Sequence, residues 1–185
     1  MKLKGVLFEA FWASVIGSVL ALGGLFLNMP VSSIVLPLFV VVLISVRHGF
    51  VFAMRIVLVI SVMVLLGSYL KTGQWDALAY LTHFTLLNTG VIIGVFSKNI
   101  HRNLNNKKIK VVETNVVAAQ LLSASIIAVM RLVSDNVPLS MLDILFYAIS
   151  SICFVLIIAF VKPKWILTTR SRYLSSKERS RLLND

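Results

Sequence analysis

The sequence predicts an all-α, polytopic integral membrane bundle of about six transmembrane helices, with its N-terminus and C-terminus in the cytoplasm. Three observations carry this expectation. The 185-residue chain is 58% hydrophobic, with a mean hydropathy of +0.94, whereas soluble domains are nearer about 45–50% apolar. Long apolar runs recur along it, separated by short polar segments. Lys and Arg residues cluster in alternate segments, the asymmetry that orients helices in a bilayer.

Runs of about 20 mostly apolar residues place spans at 6–27, 31–46, 49–70, 75–96, 112–133 and 139–161. The first follows a basic start, MKLK, but is too long for a signal peptide and is followed by further spans, so it reads as a retained helix. The second is the shortest. At 1.5 Å per residue it reaches only about 24 Å, so it must share boundary residues, thin the bilayer or sit deep in the bundle. Pro37 lies within it and predicts a kink. The third carries Arg55 about two turns in, which either extends its stem to the headgroups or marks an internal site.

The fourth span holds Tyr80, Thr82, His83, Thr85, Asn88 and Thr89. Their spacing turns Thr82, Thr85, Asn88 and Thr89 toward the bundle interior, as interhelical hydrogen bonding or as the lining of a small-solute pocket. Near the end of the fifth, Arg131 and Asp135 are four apart and can pair. Cys153, the single cysteine, lies in the sixth and is expected as a small core residue; no intramolecular disulfide is possible. Glu9 and Asp143 lie near span ends, within reach of the interface, and Trp75 and Trp165 fall where amphipathic rings prefer the headgroup level. Residues 1–161 thus form the transmembrane domain and 162–185 a basic cytoplasmic tail. The tail either attracts anionic lipid or only fixes topology.

With the N-terminus inside, Lys2, Lys4, Arg47, the cluster Lys98, Arg102, Lys107, Lys108 and Lys110, and the tail cations from Lys162 to Arg181 all become cytoplasmic, fifteen of eighteen basic residues. Adding or removing one span would put the 98–110 cluster and the tail on opposite sides. The net charge of +11 is therefore read as topology, not as nucleic-acid binding. No Walker loop, HExxH pattern or assembled nucleophile and base is present, so no enzymatic activity is expected. No cofactor is expected. A metal is not expected either, because His83 has no second histidine at ligand spacing and His48 and His101 fall in loops.

In the first span Ala13, Gly17 and Ala21 recur at spacings of four, flanked by Ser14 and Ser18. Such a strip lets another helix approach closely, either within the bundle or on a partner subunit.

Length, six spans, this strip, LPLFVVVLISVRHGF over 36–50, GVF over 94–96 and the short basic tail together resemble the substrate-binding S components of energy-coupling factor vitamin transporters, nearest the thiamine-specific type. The resemblance implies a vitamin bound near the outer face, and docking of Ala13, Gly17 and Ala21 on a transmembrane coupling subunit driven by ATPases. Where that type has a Glu-Tyr pair this chain has Thr82 and His83, and the family's histidine in the next helix falls at Arg131. On this reading Thr82, His83, Thr85, Asn88 and Arg131 line one pocket, Arg131 biases it toward neutral or anionic ligands, and thiamine binds poorly. The same pieces are similar to membrane-embedded sensory modules of bacterial signalling proteins. Two functions follow: a solute-binding transporter subunit, or a non-transporting module that senses or assembles with other membrane proteins.

Overall fold

The structure is a computed structural model that describes residues 2–29, 31–133 and 140–167. Its helices are α1 (Lys2–Phe26), α2 (Ser32–His48), α3 (Phe50–Thr72), α4 (Ala77–Val91), α5 (Ser97–Asn105), α6 (Ile109–Val133) and α7 (Met141–Val161). A 3-10 segment, Ile92–Phe96, joins α4 to α5, and another, Pro163–Trp165, follows α7. Among the described residues there is no strand. Five stretches are long and apolar enough to cross a membrane, and α2 is a shorter apolar helix beside them. The chain is an all-helical, multi-pass membrane bundle.

The short second helix solves its length problem by burial. Ten of its seventeen residues are buried, and it packs against α1, α3, α4, α5 and α7. Pro37 is buried within α2, and the helix continues through it.

At several glycines, where no side chain intervenes, helices approach α2 and α3 closely. A Cβ on Gly90 of α4 would lie 2.7 Å from Val42 Cγ2, and one on Gly24 of α1 would lie 2.5 Å from the Ser33 Cα. Packing of this kind, not the hydrophobic effect, holds helices together in lipid. Ala13, Gly17 and Ala21 belong to the same device: all three are buried, and a Cβ on Gly17 would meet Ile60 of α3 at 2.5 Å. Of the two expected partners for the strip, another helix of the bundle or a separate subunit, the one seen is α3 of the same chain. The face of α1 left open carries Phe8, Phe11, Trp12 and Val19 instead.

Contacts pair the helix ends. At one end Glu9 of α1 meets Arg47 and His48 of α2, and Gly94 meets the Gly49–Phe50 corner between α2 and α3. We call it the basic end, since Lys98, Arg102, Lys107 and Lys108 are exposed there. At the opposite end Lys71 of α3 meets the last turn of α1, and Trp75 stacks on Tyr69 with ring centroids 4.5 Å apart.

Three other expectations change. Cys153 is exposed on α7, not a core residue; a helix at the rim of a membrane bundle turns one face to lipid, so an apolar position need not be internal. Residues 97–105, expected as loop, form α5, because Ile100 and Leu104, with His101 beside them, make a buried stripe at helical spacing. The bundle also extends past residue 161, since Ile166 and Leu167 are buried. Asp143 forms a capping box with Ser140 at the start of α7, at a helix end as expected. Arg55 is exposed and sits 5.8 Å from the Phe52 ring. Asp135 and the Arg131 side chain lie outside the described residues, and so does the expected pair between them.

Candidate functional site

The opposite end of the bundle holds a cavity that four helix termini build, the ends of α1 and α3 and the starts of α2 and α4. α1 stops in a Schellman turn: the Met29 N–H donates to the Gly24 carbonyl at 2.8 Å and the Asn28 N–H to the Leu25 carbonyl at 3.4 Å. Asn28 takes the left-handed conformation (φ 55) that this turn needs and that asparagine tolerates. α3 stops at Gly73 (φ 73), whose N–H donates to the Tyr69 carbonyl at 2.8 Å. Two residues earlier Lys71 reaches across, its ammonium donating to the Leu25 carbonyl at 2.7 Å and to Asn28 Oδ1 at 2.5 Å. A cation there complements the negative end of the α1 dipole. α4 then starts at Asp76, whose carboxylate accepts from the Ala79 N–H at 2.9 Å.

Near the end of the second turn of α4, His83 is 6% exposed. Its Nδ1–H donates to the Ala79 carbonyl at 2.9 Å, so Nε2 faces Ser33 Oγ of α2, 3.2 Å away, as an acceptor. The histidine is thereby fixed in one ring orientation, and it ties α4 to α2 at the floor of the cavity. Ser33 is 2% exposed.

The cavity measures about 460 Å³ and is open on one side. Ser33, His83 and Thr82 give it a polar floor, and Leu25, Met29, Ile34 and Ala79 give it apolar walls. Asn28, Lys71 and Asp76 line its exposed mouth. A mostly apolar pocket of this size with a few convergent polar groups suits a small organic molecule. The mouth pairs one cation with one anion, so neither sign dominates its field.

A second, smaller cavity of about 330 Å³ lies between α3, α4 and α6. Thr85 and Asn88 line it, among Phe50, Met54, Phe84 and Ile92. Asn88 Nδ2 is already engaged, donating to the Phe84 carbonyl at 2.7 Å. The residues expected in one pocket therefore divide, Thr82 and His83 at the first cavity and Thr85 and Asn88 at the second. The physical reason is the rotation of the helix. At about 100° per residue, the arc from Thr82 to Asn88 is wide enough to face α2 on one side and α6 on the other. Thr89 turns further inward, is fully buried, and its carbonyl accepts from Gln120 Nε2 at 3.1 Å. Ser33, Asn28, Lys71 and Asp76 were not expected at a site. The signals for two of them lie in the sequence, since Asn28 follows an apolar run where a helix stop is due and Asp76 precedes one where a cap is due.

No protein-family model, no curated protein and no solved structure matches this chain.

Proposed function

We propose that the chain is a membrane-embedded substrate-binding subunit for a vitamin-like small solute, taken up with the help of energising partner subunits. The observation that carries this reading is the cavity of about 460 Å³ at the end of the bundle opposite the basic end. By the distribution of Lys and Arg that mouth faces outward. A solute arriving from outside would meet Lys71 and Asp76 first, bury its apolar body against Met29 and Ile34, and hydrogen-bond at the floor with Thr82 and the Ser33–His83 pair. Asp76 also restores an acidic group to the site, which widens the ligand class to include cations and returns thiamine to the panel.

Thermal stability of the purified protein against vitamins and their precursors tests this. A ligand present at 100 times its dissociation constant should stabilise the folded form by about 2.7 kcal/mol. Ser33→Val and Thr82→Val should weaken that stabilisation, while Asn88→Leu, at the other cavity, should leave it unchanged. Stabilisation by none of these compounds would instead favour the non-transporting sensory or assembly module.

Orientation has its own test. In a Cys153→Ser background, Gln74→Cys should react with an impermeant thiol reagent added to intact cells, and Lys108→Cys should react only after lysis. Labelling of Lys108→Cys from outside would turn the cavity to the wrong face.

A further inference from the structure

The basic end carries a surface that the solute pocket does not use. From Ala77 to Asn105 the chain is helical for 29 residues, about 44 Å at 1.5 Å per residue against a hydrocarbon core of about 30 Å. The excess is α5, which leaves the bundle beneath the C-terminus of α2. Ser97 Oγ donates to the Ser45 carbonyl at 2.7 Å and His101 Nε2 donates to the Val46 carbonyl at 2.9 Å. Both are last-turn carbonyls of α2; the Ser45 carbonyl also accepts from the Gly49 N–H at 2.9 Å, and the two side-chain bonds clamp α5 to the bundle through its inner face. Ile100 and Leu104 on that face are buried too.

Everything charged lies on the other side. Lys98 and Arg102 of α5, and Lys107, Lys108 and Lys110 at the turn into α6, are all exposed. No Asp or Glu occurs between Ser97 and Val112. The turn itself is a Schellman motif, with the Lys108 N–H donating to the Asn103 carbonyl at 2.8 Å and the Lys107 N–H to the Leu104 carbonyl at 3.0 Å. Its left-handed position (φ 55) is occupied by Lys107, where glycine or asparagine would fit without strain. A lysine at a position that disfavours it points to a use for its charge.

We propose that the α5–α6 hairpin binds the headgroups of anionic phospholipids through Lys98, Arg102, Lys107, Lys108 and Lys110. The amphipathic α5 sets these cations at headgroup depth, and its clamp on α2 holds them there without further ordering. Basic residues so placed distinguish an anionic from a zwitterionic headgroup by charge, while the acyl chains lie against the exposed apolar helix faces.

Native mass spectrometry of the full chain in detergent, with phosphatidylglycerol and phosphatidylcholine of equal chain length, tests the proposal. The chain should retain phosphatidylglycerol about tenfold better. Lys107→Gly/Lys108→Gln should lose most of that preference, with a melting temperature unchanged or raised because glycine suits the turn. Replacing Arg170, Arg172, Lys177, Arg179 and Arg181 by Gln should preserve the preference, and millimolar inorganic phosphate should not displace the lipid. Wild-type lipid retention by the hairpin variant would overturn the proposal, as would loss of the preference in the tail variant. Displacement by phosphate would reduce the surface to a free-anion site. If the hairpin variant lost an acidic soluble protein and kept its lipid, a protein partner would replace the membrane.

Discussion

Gly94→Ala should destabilise the folded chain by about 3 kcal/mol. Gly94 lies in the 3-10 segment between α4 and α5, against the corner where α2 turns into α3. A Cβ there would sit 2.4 Å from the Phe50 backbone nitrogen and 2.7 Å from both the Gly49 carbonyl carbon and the Phe50 Cα. These are backbone atoms, so no rotamer change relieves the overlap. The corner cannot easily yield, because Gly49 alone joins the two helices, at a φ of 90 that side chains rarely adopt. The segment behind Gly94 is held as well: Ser45 Oγ donates to the Val91 carbonyl at 2.8 Å, supplying a partner to a backbone group at a break in α-helical pairing. In lipid such a group has no water to turn to. Gly23→Ala is the control, since a Cβ at Gly23 meets nothing within 4 Å and alanine favours a helix interior by about 1 kcal/mol. Thermal unfolding in detergent should separate the two variants clearly. Equal melting temperatures would mean that the corner opens at little cost.

Glu9→Leu should cost about 2 kcal/mol, below the range for a fully buried pair because Glu9 remains 28% exposed. Glu9 Oε2 lies 3.2 Å from Arg47 Nη2 and 2.7 Å from His48 Nε2, at the end of α2. The carboxylate joins α1 to the central helix at a point where His48 is 6% exposed and Arg47 is 20% exposed. Removing it strands the guanidinium in a site built for a counter-charge. Glu9→Leu/Arg47→Leu should therefore recover part of the loss, because a double deletion removes the uncompensated charge as well as the pair. The double-mutant cycle on thermal stability reads this directly. Strict additivity of the two single changes would show that the ion pair contributes nothing.

The amino-acid sequence by itself determined the membrane class, because the recurrence of apolar runs depends only on composition along the chain and a bilayer accepts no other solution for such runs. The same holds for helix ends: the stop at Gly73 and the cap at Asp76 are local backbone chemistry and are legible one residue at a time. Which helix lies at the centre was not legible, since α2 reads like any other apolar run, and its short length left burial as one of three options until its neighbours were placed. The strip of Ala13, Gly17 and Ala21 signalled close approach correctly and left its partner open. Small residues specify contact distance, and only the position of Ile60 on α3 decides what fills the space. The polar residues of α4 were legible as a group, but their division between two cavities depends on where α2 and α6 stand around that helix. The first cavity is assembled from Asn28, Ser33, Lys71, Asp76 and His83, residues up to 55 positions apart in the chain. All of them but His83 look like a cap, a turn or a spacer in isolation. Only tertiary packing of four helix termini turns them toward one another.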